Sequence, residues 1–154
     1  MAGVLGETTI LQVGFIVRDI EKTKQFFADF LGVEPPPTVD GGPYEVSQAK
    51  LRGEPIPESN CWMAFFSVAP GISIELIQPN GKPSAWQEYL DEHGEGMHHL
   101  GIAVKNTNES LAACEAFGLP MIQRGYYGDG GGEYNYLDAP ELKCIVELLE
   151  SYKR

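Results

Sequence analysis

The chain has 154 residues, of which 43% are hydrophobic, and a formal net charge of −11. This length and apolar content suffice for one folded domain and argue against disorder. The acidic balance and the lack of a basic cluster argue against a nucleic-acid partner, which draws on clustered Lys and Arg. No export signal and no run of roughly 20 apolar residues is present. The sequence therefore predicts a cytoplasmic protein without a membrane partner.

The first half of the chain predicts a β-α-β-β-β unit over about residues 9–79. Its opening strand ends near Val17, and Asp19 is a good N-cap for a helix that runs from Ile20 to about Leu31 and ends at Gly32. A loop rich in proline and glycine follows. Three further strands are predicted, at residues 44–51, 61–68 and 71–77.

A linker over about residues 80–95 separates this unit from a second one, which covers about residues 96–150. Ser84 caps a short helix in the linker. The second unit repeats the order of the first, with a strand at 97–104, a helix at about 108–117 and strands at 121–122, 134–137 and 142–149. The sequence thus predicts a single domain over residues 1–154 with eight strands.

The opening strand of each unit contains one polar side chain at the same place. The alignment pairs LQVGFIV with HHLGIAV, and it places Gln12 on His99. Side chains alternate between the two faces of a strand, so Gln12 shares a face with Gly14, and His99 shares one with Gly101. The glycine two positions on leaves room beside each polar side chain.

The last strand of each unit contains one glutamate at the same place. ISIELI matches CIVELL, and this alignment places Glu75 on Glu147. A carboxylate buried between aliphatic residues is strongly disfavoured unless its charge is compensated. If a pseudo-twofold axis relates the two units, the equivalent side chains converge on it. The sequence therefore predicts one divalent metal ion bound by Gln12, Glu75, His99 and Glu147.

Each of the neutral side chains also has a simpler explanation. His99 alone could be a hydrogen-bonded core histidine, and the Gln12 amide could bond to the backbone. His98, which alternation sends to the opposite face, is interpreted as structural, and His93 as part of the linker. Three cysteines are an odd number without zinc-motif spacing, so we expect reduced cysteines without a chemical role: Cys61, Cys114 and Cys144.

The opening VRDI, the helix ending LG and the strand endings IEL and VEL resemble the vicinal oxygen chelate superfamily. This superfamily includes glyoxalase I, methylmalonyl-CoA epimerase, extradiol dioxygenases and drug-sequestering proteins. The resemblance covers about residues 9–150 and implies an α+β fold, in which two tandem β-α-β-β-β units form a curved eight-stranded sheet around a metal cleft. The quartet Gln12, Glu75, His99 and Glu147 is similar to the ligand set of some glyoxalase I enzymes.

The linker resembles methylmalonyl-CoA epimerases more than glyoxalase I, from Pro83 through the run EHGEGMHH. Epimerases, however, usually have His where this chain has Gln12, and their separate catalytic carboxylate in the first unit has no clear match. The resemblance therefore implies the shared chemistry: a metal-dependent lyase or isomerase that moves a proton through an enediolate or enolate. By resemblance to glyoxalase I, Glu147 is predicted as the base, and Glu75 as a ligand or second proton carrier.

Several alternatives stay open. Oxygen and nitrogen ligands without thiolate suit Zn, Ni, Co, Mn or Mg. A metal-free drug-sequestering protein would not need both Glu75 and Glu147, and an extradiol-type dioxygenase would need a second His where Gln12 stands. The substrate is predicted to be a small molecule: a glutathione adduct, an acyl-CoA or a small oxo compound.

Two further expectations concern the surface. The glycine run at 128–132 lacks the Lys-Ser/Thr ending of a phosphate loop, so a mobile hairpin or active-site lid is predicted there. Arg124, Tyr126 and Tyr127 precede it, and they either contact substrate or are exposed loop residues. A curved sheet built from two small units leaves open edges, so a homodimer is predicted.

Overall fold

A computed structural model describes residues 3–6 and 9–153, in which ten strands form one sheet and four helices pack against it. The helices are α1 (Ile20–Leu31), α2 (Tyr44–Ser47), α3 (Ala85–His93) and α4 (Thr107–Phe117). The strands are β1 (Ile10–Ile16), β2 (Val39–Asp40), β3 (Lys50–Leu51), β4 (Glu54–Pro55), β5 (Cys61–Ala69), β6 (Ile72–Pro79), β7 (Gly96–Ala103), β8 (Met121–Tyr126), β9 (Gly132–Ala139) and β10 (Cys144–Ser151).

The sheet consists of two matching halves. Its strand order is β2-β5-β6-β1-β7-β10-β9-β8-β3-β4. In the first half β1 pairs in parallel with β6, and in the second β7 pairs in parallel with β10. Antiparallel pairing of β1 with β7 joins the halves. The predicted α+β class and the two repeated units are confirmed, whereas the strand count is ten rather than eight.

Local signals position the longer helices as the sequence predicts. The side chain of Asp19 accepts a hydrogen bond from the backbone N–H of Lys22 at 3.0 Å, and Gly32 ends α1 in the left-handed conformation. Ser84 caps α3 in the same way, by accepting from Gln87 at 3.0 Å. No helix in the described part of the chain is long and apolar enough to cross a membrane.

The strand predicted at residues 44–51 is wrong. Pro43, in an extended conformation, precedes the short helix α2, and Gln48 ends this helix with a positive φ of 44°. Only Lys50 and Leu51 remain extended, and they pair with β8 at the far edge of the other unit. The strand predicted to begin at Leu142 starts later, because Pro140–Leu142 forms a 3-10 turn.

Residues 41–59, which we call the arch, therefore cross from one unit to the other. The arch leaves β2 at one end of the sheet, adds β3 and β4 to the opposite end, and returns to β5. The backbone N–H of Arg52 donates to the carbonyl of Ile122 at 2.7 Å, which fixes the crossing point. The arch spans the concave side of the sheet and covers the cleft between the two units.

Three apolar clusters hold the fold together. On the outer face of the first unit, α1 packs Phe27 edge-on against Phe66 at 4.9 Å between ring centroids. On the second unit, α4 packs Cys114 against Leu137 and its neighbours. The linker helix α3 inserts Trp86 between the units. All three cysteines are free, with Cys61 and Cys114 buried.

Candidate metal centre

The pairing of strands places the predicted ligands at equivalent positions in the two units. In the first unit Gly14 lies opposite Glu75, and in the second Gly101 lies opposite Glu147. Each glutamate therefore meets the opening strand of its own unit at the same position. The match between the two units, first seen in the sequence, is thus reproduced by backbone pairing.

All four side chains converge on one point within a single chain. The Nε2 atom of His99 lies 3.1 Å from Oε2 of Glu147 and 3.2 Å from Oε2 of Glu75. The same Nε2 atom lies 3.2 Å from Oε1 of Gln12. His99 is fully buried, and the other three side chains are at most 8% exposed. The structure therefore brings together every predicted ligand.

The donor set fits a divalent metal ion in two respects. Donor atoms at about 2.1 Å from an ion lie about 3.0 Å apart in an octahedron and about 3.4 Å apart in a tetrahedron, so separations of 3.1–3.2 Å match an ion's coordination shell. The side-chain amide of Gln12 lies beside both carboxylates: with its nitrogen toward them it donates to Oε2 of Glu147 at 2.9 Å and to Oε2 of Glu75 at 3.2 Å, whereas with its oxygen toward them it would need a cation in between. An oxygen directed at two carboxylates is repelled by them, whereas a cation between them attracts all three. Glu75, His99 and Glu147 form the group in the described chain that could hold this ion.

Two glycines make room for these ligands, each across the β1–β7 seam. A Cβ on Gly14 would lie 1.9 Å from Cε1 of His99, and a Cβ on Gly101 would lie 2.9 Å from Cβ of Gln12. Gly14 was expected to make room for Gln12 on its own strand, but it makes room for His99 on the neighbouring strand. Gly101 likewise makes room for Gln12. The interpretation of these glycines as spacers is correct, but the partner of each is in the other unit.

We expect Gly14→Ala to disrupt the centre without removing a ligand. The added methyl group would overlap the His99 ring, which must then move away from the other three side chains. Metal affinity should fall about ten- to hundredfold, as for other changes that misorient a ligand. Gly3→Ala is the matched control, since nothing lies within 4 Å of its Cβ position. Titration of both variants with Mn²⁺ checks this; equal affinities would contradict it.

His98 contributes to the centre from the opposite face of β7, a role that alternation alone did not indicate. Its Nδ1 lies 3.0 Å from Nδ1 of His99, and it is 1% exposed. Burial, and then the nearby charge of His99, lower the pKa of His98 well below its usual value, so its ring is neutral. A neutral His98 that accepts the Nδ1 proton of His99 leaves Nε2 of His99 free to bind an ion.

The metal-free centre holds a proton that an ion must displace. Burial alone would lower the pKa of His99, but the carboxylates of Glu147 and Glu75 raise it to about 10. Protonation of His99 therefore stabilises the metal-free fold. This contribution is fully present when the pH is below the unfolded-state pKa of about 6.5, and it is lost as the pH rises toward the folded-state pKa of about 10. Burial, reinforced by Glu147, also raises the pKa of Glu75.

Metal affinity should therefore increase with pH. Because a histidine ligand must be deprotonated, the apparent Mn²⁺ affinity should rise about tenfold per pH unit between about pH 7 and about pH 9. Calorimetry in two buffers of different ionisation enthalpy should show about one proton released per ion at neutral pH. An affinity that does not change over this range would mean that His99 is already neutral in the metal-free protein.

The centre lies at the floor of a cavity of about 530 Å³ in the concave side of the sheet. Gln12, Glu75 and Glu147 reach the cavity, while His99 lies behind them. The walls include the aromatic and apolar residues Met63, Phe65, Ile77, Trp86, Tyr127, Tyr134, Tyr136 and Leu149. Sequence reasoning missed the wall residues of β5 and β9. In β9 the alternation of Tyr134 and Tyr136 with polar residues was the available signal, whereas β5 is apolar on both faces and offered none.

Two glycine segments meet across the mouth of the cavity, and we call this contact the clasp. An added Cβ on Gly42, in the arch, would lie 2.8 Å from Cα of Gly128, and a Cβ on Gly128 would lie 2.8 Å from the carbonyl oxygen of Gly41. The loop at 128–132 does join two strands as predicted, and its first residue contacts the arch. Its mobility stays a prediction.

The three residues before this loop have different positions. Tyr126 and Tyr127 line the cavity. Arg124 alternates to the outer face of β8, where it pairs with Glu133 at 3.0 Å. Of the three, only the two tyrosines are therefore placed to contact a ligand.

Residues 11–136 match the model of the Glyoxalase/Bleomycin resistance protein/Dioxygenase superfamily. The chain therefore belongs to this superfamily, as its resemblance to the vicinal oxygen chelate proteins predicts. The match includes Gln12, Glu75 and His99 and ends before Glu147. Among curated proteins, the chain is 26% identical over 140 residues to the uncharacterized protein YqjC of Bacillus subtilis (strain 168), covering 90% of this chain and 89% of that protein.

Solved structures show the same fold. The methylmalonyl-CoA epimerase of Mycobacterium tuberculosis is 17% identical with a TM-score of 0.63, over 98% of this chain and 91% of that one. A Streptomyces coelicolor methylmalonyl-CoA epimerase variant in complex with 2-nitronate-propionyl-CoA is 21% identical with a TM-score of 0.65, over 94% and 98%. The hypothetical protein BH1468 of Bacillus halodurans C-125 is 19% identical with a TM-score of 0.68, over 95% and 96%.

Proposed function

We propose that this protein is a metal-dependent isomerase or lyase that moves a proton on the carbon next to a carbonyl group. The convergence of two carboxylates, one imidazole and one amide at the floor of a cavity is the observation that supports this proposal. A divalent ion held there by Gln12, Glu75, His99 and Glu147 would bind two adjacent substrate oxygens and stabilise the charge left on them by proton loss.

The residues of the chain then have separate tasks. Glu147 is proposed as the base that takes the carbon-bound proton, and Glu75 as the ligand or second proton carrier. Both line the cavity and are therefore within reach of a bound substrate. His98 keeps His99 in the orientation that presents Nε2 to the ion. The arch and the clasp cover part of the cavity and so reduce the access of water, which strengthens electrostatic interactions at the site.

Two measurements test this function. The purified protein should contain, or rebind after chelation, one divalent ion per chain, as determined by elemental analysis. The metal-loaded protein should then exchange a proton for deuterium at the carbon next to a carbonyl in a screen of substrates. A protein that binds small molecules but takes up no divalent ion would instead be a drug-sequestering type of binder. Oxygen consumption with a catechol, dependent on ferrous iron, would instead indicate an extradiol-type dioxygenase.

The homodimer remains a prediction. The sheet ends in the two-residue strands β2 and β4, whose outer edges have no partner strand in the described chain. Sedimentation at micromolar concentration should give twice the 16.9 kDa of one chain. A monomer at that concentration would contradict the prediction but not the metal centre, because all four ligands come from one chain.

A further inference from the structure

The two walls of the cavity differ, although they occupy equivalent places in the two units. On the second unit, Tyr136 lies opposite Glu147 in the β9–β10 pairing. On the first unit, the equivalent residue opposite Glu75 is Phe65. The next inward-facing pair repeats the difference, with Tyr134 in the second unit and Met63 in the first. A phenolic wall therefore faces an apolar wall across the metal centre.

Each of the two phenols keeps a proton available for a ligand. The Tyr136 oxygen accepts a hydrogen bond from Nε1 of Trp86 at 2.9 Å, and the Tyr134 oxygen accepts one from Nε2 of Gln123 at 3.0 Å. Within the described chain neither hydroxyl donates to an acceptor. Burial, reinforced by nearby acidic groups, raises the pKa of both tyrosines, so both remain protonated donors at neutral pH.

The described lining of the cavity offers no positively charged side chain to an anionic group of a substrate. Among the described residues that line the cavity there is no Lys, Arg or His. Arg124, one position from the inward-facing Gln123, points outward to Glu133. A divalent ion with neutral His99 would balance the charges of Glu75 and Glu147, so nothing would remain to pair with a fixed negative charge on the substrate. Burying such an unpaired charge is costly.

We propose that the substrate places a neutral, α-oxygenated carbonyl group with an apolar substituent in the cavity, rather than a carboxylate. Its apolar group would lie against Met63 and Phe65, and a neutral oxygen would accept a hydrogen bond from Tyr134 or Tyr136. A volume of about 530 Å³ is within the usual range for a small ligand. This inference rests on the proposed function, because it assumes that the substrate's two oxygens bind the ion.

The test compares two probes of similar size with the Mn²⁺-loaded, full-length protein. 2-Hydroxyacetophenone is neutral and mandelate is anionic; both have a phenyl group, two adjacent oxygens and an exchangeable carbon-bound proton. Binding is measured by calorimetry and by tryptophan fluorescence, the latter in a Trp62→Phe background so that Trp86 in the cavity wall is the one tryptophan that emits. We expect 2-hydroxyacetophenone to bind at least about tenfold more tightly than mandelate. This order cannot come from the ion alone, because a free ion binds the carboxylate better.

Three variants test which side chains cause the preference for the neutral ketone over mandelate. Met63→Lys adds a cation to the apolar wall and should improve mandelate binding about tenfold, whereas Met121→Lys makes the same change outside this cavity and should leave the preference unchanged. Tyr134→Phe removes one hydroxyl donor and should weaken binding of the ketone about three- to tenfold. The metal content of each variant is measured in parallel, so that a lost ion is not mistaken for a lost contact.

The outcomes separate this inference from the proposed function. Binding of the ketone without deuterium exchange at its carbon would support the neutral substrate class and refute the proton transfer. Exchange with mandelate but not with the ketone would support the proton transfer and overturn the neutral class. If metal-loaded protein binds mandelate as tightly as the ketone, the inference is wrong.

Discussion

Glu147→Gln should lower the rate of proton exchange by about a hundred- to ten-thousandfold, the contribution of a general base. Glutamine keeps a neutral oxygen ligand of nearly the same shape, so metal binding should weaken only moderately. The expected result is a variant that still contains an ion but turns over slowly. Deuterium exchange and metal content, measured on the same preparation, check both parts.

Two matched variants sharpen this prediction. Glu75→Gln makes the same change at the equivalent position of the other unit, and it should cost less turnover if Glu147 is the base. Glu141→Gln makes it on the exposed 3-10 turn and should change neither quantity. If Glu147→Gln retains full turnover, Glu147 is only a structural ligand and Glu75 becomes the candidate base.

His99→Ala should empty the metal centre. It removes the only imidazole among the four ligands, and it leaves Glu75 and Glu147 buried without their central donor. We expect no ion to be retained after dialysis, and no increase in melting temperature when Mn²⁺ is added. In the wild type, an ion at a hundred times its dissociation constant should stabilise the fold by about 2.7 kcal/mol.

His93→Ala is the control for this variant, because His93 is exposed and lies outside the centre. Its ring contacts the ring of Tyr89, and its Nε2 atom lies 3.6 Å from a carboxylate oxygen of Glu92. It should bind the ion like the wild type. Circular dichroism distinguishes loss of the ion from loss of the fold. A folded His99→Ala protein that still binds one ion per chain would place the centre elsewhere.

The convergence of the four polar side chains was predictable because the chain repeats itself. Strand residues alternate between two faces, so a match of Gln12 with His99, and of Glu75 with Glu147, already fixes which side chains share a face. The capping residues Asp19 and Ser84 likewise predict where helices begin, because a cap acts on backbone groups only two or three positions away. These signals are local or repeated, and they are visible without a structure.

The path of the arch was not predictable in the same way. Residues 44–51 have the composition of a strand, but Lys50 and Leu51 pair with β8, more than seventy positions away in the chain. That edge exists only after both units have folded side by side. The preference of Pro43 for extended backbone and the positive φ of Gln48 then decide how the chain turns on its way there.

The sequence by itself determined the two repeated units, the α+β class and the identity of the four converging side chains, because periodicity and caps act over a few residues. Only the tertiary structure decided that His98 contacts His99, that Gly14 clears space for a ligand of the other unit, and that phenols face apolar side chains across the cavity. These contacts join residues from different strands, and their geometry depends on how the two halves of the sheet pair and curve.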